Sequence, residues 1–181
     1  MGGPDVRMQY GTVLEASFRR VLQDISELTP RLRRVDRLVI YRVYPSFDDG
    51  CAWQVHRETD SGRIGVRRVR VDREATWARV EGLMVFREDL VPRPVVEVTD
   101  GWMGVPQWEE LAAAARRITL PIIVPKSNRV GLDGTTHELS SGDFMGSLGL
   151  RWWENGPEEW DKLQWWVEDF RRACEGALTA Q

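Results

Sequence analysis

One run of eight residues does most to limit what this chain can fold into. The run "RLVIYRVY" (37–44) is apolar at both odd and even positions and rich in β-branched and aromatic residues. Half-buried strands alternate between apolar and polar positions, whereas strands buried on both faces are nearly continuous apolar runs. The run therefore predicts a central strand of a sheet.

Two further strand-like runs follow, each bounded by turn residues. In "CAWQVHRE" (51–58) apolar side chains alternate with polar ones, which predicts a strand with one solvent-facing side. In "RIGVRRVRVD" (63–72) the apolar phase changes at the two adjacent central arginines, and such a slip predicts a β-bulge. Later, "VVEV" (95–98) is typical of a strand, and "TDGWMGVP" (99–106) is typical of a loop.

Three segments have the apolar spacing of amphipathic helices. The first covers 12–28, the second starts at Pro106 and the third begins near Pro157. Proline in the first turn is typical of helix N-termini. The order of strands and helices predicts an α+β protein, with a mainly antiparallel sheet on which an N-terminal, a middle and a C-terminal helix pack. At 181 residues the chain suits a single globular domain, 1–181.

The charge and hydropathy of the chain argue against two kinds of partner. The formal net charge is -3, so no overall attraction to nucleic acid or anionic lipid is expected. No apolar run approaches the roughly 18 residues that indicate a membrane span. The first residues lack the apolar stretch of a signal peptide. We therefore expect a cytoplasmic protein that binds neither membrane nor nucleic acid.

The residues that most often carry catalysis or bind metals are few and scattered. His137-Glu138 begins like the zinc-protease motif, but the position of the second histidine is Ser141. The two cysteines, Cys51 and Cys174, are far apart and make no metal-binding pattern. The glycines form no phosphate-binding loop. We predict no catalytic residue, no metal and no cofactor, and two free thiols.

Large aromatic and basic side chains at outward positions are the stronger signal. Trp and Arg dominate the energetics of many protein–protein contacts, and large apolar side chains on wet faces often mark such contacts. The predicted partner-binding residues lie on a loop, two strands and a helix: Trp102, Met103, Trp153, Trp165, Arg67, Arg68 and Arg70. An alternative for the arginines is a solvated sheet face that pairs with local acids.

Trp165 has the clearest outward position. The apolar stripe of the last helix consists of Trp160, Leu163, Val167, Phe170 and Cys174. The helical step places Trp165 roughly 160–200° from that stripe. We therefore expect Trp165 to lie on the opposite side of the helix.

The C-terminal part carries a resemblance to a group of small bacterial proteins. "LDGTTHEL" (132–139) is followed by "LRWWENGPEEW" (150–160). This order resembles proteins in which a D-G-T-x-x-E-L hairpin precedes a tryptophan strand and a G-P-x-x-W helix, and the resemblance covers about residues 130–177. Some such proteins look like immunity partners of secreted bacterial toxins. The resemblance assigns no catalytic residue.

Together these features predict a cytoplasmic, non-enzymatic α+β protein that binds another protein. The resemblance implies a sharper form, an immunity protein that neutralises a bacterial toxin by covering the toxin's active site. The alternatives are an enzyme with an unrecognised active site and a subunit of a bacterial assembly or defence system. A deep pocket with convergent polar groups would favour the enzyme. A flat surface with exposed tryptophans would favour the binding protein.

Overall fold

A computed structural model describes residues 6–25, 35–46, 48–80, 87, 91–121, 133–143 and 146–180. Within these ranges the helices are α1 (Val6–Gln23), α2 (Arg73–Ala78), α3 (Val105–Ala115) and α4 (Asp161–Thr179). The strands are β1 (Val35–Pro45), β2 (Cys51–Glu58), β3 (Ile64–Asp72), β4 (Val95–Met103), β5 (Thr135–Asp143) and β6 (Gly146–Trp153). A single 3-10 turn (Glu158–Trp160) leads into α4.

The strands form one antiparallel sheet in the order β4-β3-β2-β1-β5-β6. β1 lies between β2 and β5, so the prediction of a central strand from the apolar run at 37–44 is confirmed. β4 and β6 are the two edge strands. The predicted α+β class, with an antiparallel sheet and N-terminal, middle and C-terminal helices, is confirmed as well.

Helices α3 and α4 cover one face of the sheet, which we call the α4 face. Four tryptophans are buried there: Trp53, Trp108, Trp152 and Trp160. The apolar stripe of α4 packs among them. The helix crosses β4 so closely that a Cβ on Gly101 would collide with the carbonyl oxygen of Ala177. Because glycine has no Cβ, α4 can pack against β4 at this point more closely than any other residue would allow.

Helix α1 covers part of the opposite face, which we call the α1 face. Leu14, Phe18 and Leu22 of α1 are buried together with Val69 and Val71 of β3. The predicted amphipathic helix is thus confirmed. It begins earlier than position 12 and ends at Gln23, before the predicted end, and residues 26–28 lie outside the described residues.

The predicted bulge in β3 is not found. β3 pairs with both neighbours in unbroken register. The apolar phase changes because Ile64 and Val66 point into the α4-face core, whereas Val69 and Val71 point into the α1-face core. A strand buried on both faces accepts apolar residues in either phase, so no extra residue is needed. A register shift lies instead in β1, at Leu38.

Two other strand predictions are wrong. The segment 99–103 is not a loop, because β4 continues its pairing with β3 as far as Met103. β2 has no solvent-facing side over its centre, since Gln54 and His56 are as buried as the apolar Trp53 and Val55. In the C-terminal part, β5 pairs with β1 and β6. The residues just before Asp133 lie outside the described residues.

Candidate functional site

The predicted contact residues do not share one surface. Trp165 lies on α4, which covers the α4 face of the sheet. Met103 and Trp152 point into the α4-face core, so their chain neighbours Trp102 and Trp153 point toward the other face. Those two tryptophans are on opposite edge strands, so five interstrand spacings, about 24 Å, separate them across the sheet. They also lie near opposite ends of the strands. The sheet therefore separates Trp165 from both.

Trp165 is 72% exposed, and it lies opposite the buried stripe of α4 as predicted. Five exposed charged side chains surround it: Asp161, Lys162, Glu168, Asp169 and Arg172. All five lie within about 60° of Trp165 around the helix, and they extend over about 17 Å of its length. We call these six residues the Trp165 surface.

The charges of the Trp165 surface are partly held in place. Arg172 Nη1 is 2.8 Å from Asp169 Oδ1, and Glu168 accepts from the neighbouring Arg171 at 2.8 Å. Both pairs are on one helix and exposed, so each contributes only a few tenths of a kcal/mol. Three acidic and two basic side chains make the surface mixed in charge, with a small acidic excess.

Trp102 and Trp153 are partly covered by their own chain. Trp102 is 42% exposed, and the guanidinium of Arg63 lies 3.6 Å from the centre of its ring. That cation–π contact occupies one face of the indole. Trp153 is half-buried and lines a depression with Phe18 and Tyr44 on the α1 face. Neither presents as much free ring as Trp165.

Arg67 and Met103, which were predicted to contact a partner, are buried. Met103 is 4% exposed and belongs to the α4-face core. Arg67 is 3% exposed, and its Nε and Nη2 each donate to an oxygen of Asp100 at 2.7 Å. Both residues are therefore removed from the set of contact candidates, because a partner cannot reach them in the folded protein.

The other two strand arginines are paired within the chain. Arg68 Nη1 donates to Glu175 of α4 at 2.7 Å. Arg70, on the same side of β3, donates to Asp49 at 2.6 Å. This arrangement matches the alternative, a sheet face whose arginines pair with local acids.

The α1 face contains a buried polar cluster that the sequence did not reveal. Gln54 is fully buried, and neither its amide oxygen nor its amide nitrogen has a hydrogen-bond partner among the described residues. His56 is 5% exposed, and its Nδ1 is unpartnered in the same sense. The imidazole lies over Gly65, where a Cβ would collide with its Nε2. Arg67 lies directly opposite Gln54 in the register of β2 and β3. Only this cross-strand register brings the four residues together.

Burial lowers the pKa of both histidines. Burial lowers the pKa of His56, and the nearby Arg67 guanidinium lowers it further. Burial also lowers the pKa of His137, on the α4 face. The Nδ1 of His137 is 2.7 Å from the Tyr41 hydroxyl, and burial raises the pKa of that hydroxyl. A neutral imidazole that accepts from a protonated phenol fits both shifts.

The two cysteines are not joined to each other, as predicted. Burial raises the pKa of Cys51 to about 12 and also raises the pKa of Cys174. The thiolate is the reactive form of cysteine, so a thiol with a raised pKa is a poor nucleophile at neutral pH. Their environment is that of structural cysteines.

Within the described ranges, no three His, Cys, Asp or Glu side chains are grouped so that they could hold a metal ion. None of the helices in this part of the chain has the length and apolar character to cross a membrane. Comparison with known proteins gave no matching family model, no matching curated protein and no matching solved structure.

Proposed function

We propose that this protein binds another protein through the Trp165 surface. The observation that carries the proposal is the 72% exposure of Trp165 on a helix whose opposite side is packed into the core. The helix that carries Trp165 is anchored by its packed side, so its backbone loses little conformational entropy when a partner covers the indole.

The size of the side chain makes Trp165 a sufficient anchor. An indole side chain can bury up to about 250 Å², and 72% of that is roughly 180 Å². At about 25 cal/mol per Å², covering this area is worth roughly 4 kcal/mol before the costs of binding are subtracted. Hot-spot residues contribute about 2 kcal/mol or more, so Trp165 has the capacity to be one.

The charges around Trp165 indicate what the partner presents. A complementary surface has an apolar pocket for the indole and a rim with more basic than acidic groups, opposite Asp161, Glu168 and Asp169. Arg172 and Lys162 then meet acidic groups on the same rim. Rim charges of this kind govern the rate of association and the choice of partner more than the affinity.

The finer proposal is that the partner is a bacterial toxin domain and that this protein is its immunity partner. Trp165 lies inside the stretch 130–177, which carries the resemblance to immunity-type proteins. In this form, the Trp165 surface covers the active site of the toxin. The arginine strand takes no part, because Arg67 is buried and Arg68 pairs with Glu175.

A second candidate, an enzyme, is favoured by one observation. The unpartnered polar atoms of Gln54 and His56 could bind a substrate by hydrogen bonds. Such a substrate would have to reach side chains that are at most 5% exposed. The Trp165 surface needs no such rearrangement, and we prefer it for that reason.

The test compares two tryptophan variants. Trp165→Ala should change the free energy of unfolding by no more than about 0.5 kcal/mol, as exposed substitutions do. It should weaken binding of the partner by about 2 kcal/mol or more. Trp102→Ala is the matched control, since it removes a partly exposed tryptophan on the other side of the sheet. The partner is identified as a protein retained by the wild type and by Trp102→Ala, and it is then purified for calorimetry.

Full affinity of Trp165→Ala for the purified partner would exclude the Trp165 surface as the contact. The immunity form has its own test. A toxin partner stops growth when expressed alone in bacteria, and co-expression of the wild type should restore growth, whereas Trp165→Ala should not. A non-toxic partner with a Trp165-dependent affinity would keep the binding proposal and rule out the immunity form.

A further inference from the structure

An apolar cavity of about 400 Å³ lies on the α4 face, between α3, α4 and the strands β1, β5 and β6. Its walls include two tryptophans and several aliphatic side chains: Trp108, Trp166, Ile118, Leu148, Leu150 and Leu163. Pockets that bind small molecules usually have volumes of roughly 300–1,000 Å³ and mostly apolar walls. The cavity has the size and the lining of such a pocket.

The fold holds the walls of the cavity in place. At the register shift in β1, Leu38 is the extra residue, and it lines the cavity together with its neighbour Val39. Trp166 is fixed beneath α3, because its Nε1–H donates to the carbonyl oxygen of Leu111 at 2.8 Å. Leu148 on the edge strand β6 is 55% exposed. The cavity is therefore bounded by ordered side chains on one side and reaches solvent near the sheet edge.

Among the described residues that line the cavity, Arg116 alone has a charged side chain. Arg116 follows the last residue of α3, is exposed, and has no ion-pair partner among the described residues. The hydroxyl of Ser141, also in the lining, already donates to the carbonyl oxygen of Leu38 at 2.9 Å. Arg116 is thus the polar group that is available to a ligand.

We propose that this cavity binds a free amphipathic monocarboxylate, with its apolar chain among the tryptophan and leucine side chains and its carboxylate on Arg116. The apolar walls favour a hydrocarbon chain, because contact with them removes its apolar surface from water. The guanidinium of arginine binds a carboxylate through two parallel hydrogen bonds. Charge complementarity therefore selects an acid over an alcohol with the same chain.

The binding of sodium decanoate, below its micelle-forming concentration, tests the proposal by titration calorimetry. The wild-type protein should bind one decanoate, and decanol should bind at least about tenfold more weakly, because the charge-assisted hydrogen bonds are lost. Arg116→Gln should weaken decanoate by about tenfold for the same reason. The matched control is Arg117→Gln, an adjacent exposed arginine outside the lining, which should stay within about twofold of the wild type.

A cavity-filling variant locates the bound chain. Ala112→Trp places a large side chain in the lining and should abolish binding of decanoate, with the melting midpoint showing that the variant is folded. Ala113→Ser, on the same helix and outside the lining, is a second control that should bind normally. Trp165→Ala should also bind decanoate like the wild type, which separates this site from the Trp165 surface.

Three results would overturn the proposal. The first is that the wild type does not bind decanoate at millimolar concentration. The second is equal binding of decanol and decanoate together with no effect of Arg116→Gln, since the site would then be apolar without selection for a carboxylate. The third is a concentration-dependent dimer that Ala112→Trp dissociates and decanoate does not affect, since the cavity would then be an interface between two copies of the chain.

Discussion

Strand β2 buries apolar side chains on one face of the sheet and polar side chains on the other. On the α4 face, β2 contributes Trp53 and Val55 to an aromatic core. On the α1 face it contributes Gln54 and His56, which are equally buried and lie beside Arg67. Alternation of apolar and polar residues usually marks a strand with one wet face. In this chain the alternation places apolar side chains in the α4-face core and a local polar cluster, which we call the polar interior, beside the apolar core of the α1 face.

The two interiors also differ in how well their polar atoms are satisfied. On the α4 face, Trp53 Nε1–H donates to Glu175 at 2.7 Å and Trp166 Nε1–H to a backbone carbonyl at 2.8 Å, although Trp160 Nε1 has no partner among the described residues. On the α1 face, three atoms of Gln54 and His56 are without such partners. Each unsatisfied buried polar group costs about 1–3 kcal/mol. The unsatisfied polar atoms therefore cost more stability on the α1 face than on the α4 face.

The largest effect should come from the ion pair of the polar interior. Asp100→Ala leaves the guanidinium of Arg67 buried without this carboxylate, and we expect a loss of about 3 kcal/mol in the free energy of unfolding. Glu97→Ala on the same strand is the control. Both carboxylates belong to side chains that are 58% exposed, but Arg68, the partner of Glu97, is itself 25% exposed and also bonds to Glu175.

Urea unfolding of both variants measures this difference. The control should lose less than about 1 kcal/mol, as partly exposed ion pairs do. Equal losses for Asp100→Ala and Glu97→Ala would show that the burial of Arg67 does not set the strength of its ion pair. The two faces would then differ in which residues they bury, but not in the strength of their ion pairs.

A decrease in pH should destabilise the folded protein through one histidine on each face of the sheet. His56 on the α1 face and His137 on the α4 face both have a lowered pKa in the folded protein because of burial. Below about 6.5 the unfolded chain takes up protons that the folded protein does not. Stability should therefore be complete above about pH 6.5 and should fall as the pH decreases below it.

The free energy of unfolding at pH 7.5, 6.5 and 5.5 checks this prediction. Replacement of either histidine by Gln should reduce the slope between pH 6.5 and 5.5, relative to each variant's own value at pH 7.5. A wild-type stability that rises as the pH falls through this range would contradict the neutral state of both imidazoles. A change in slope with His56→Gln only would show that titration is confined to the polar interior.

The smallest effect is expected from Gln54. Gln54→Met keeps the shape of the side chain and removes two buried polar atoms that have no partner among the described residues. Stability should stay within about 1 kcal/mol of the wild type or increase, because no hydrogen bond is lost and a desolvation cost is removed. A loss of more than about 2 kcal/mol, measured by urea unfolding, would indicate that the amide makes hydrogen bonds in solution.

Much of the architecture could be predicted from periodicity. The apolar run at 37–44 indicated a strand buried on both faces, and β1 is central. The stripe of α4 predicted which of its residues are buried and that Trp165 lies opposite them. These predictions succeed because side-chain direction repeats every two residues in a strand and every 3.6 in a helix. Local sequence is sufficient to decide such questions.

The candidate contact residues were harder to predict. The glycines on either side of Trp102 and Met103 indicate a loop, yet Gly101 is a strand residue at the point where α4 crosses the sheet. The sequence predicts an outward position for Arg67, as is usual for arginine, but the side chain is buried. Its burial depends on Asp100, which lies 33 positions later in the chain. No local pattern connects the two.

The sequence by itself determined the class of the fold, the central strand and the outward direction of Trp165, because each follows from the spacing of apolar residues along one element. Only the tertiary structure decided which polar residues are buried, how the arginines pair and that the three candidate tryptophans are on separate surfaces. Those outcomes depend on strand order, on register and on which helix covers which face. Contacts between residues that are distant along the chain set all three, and periodicity within one element carries no information about them.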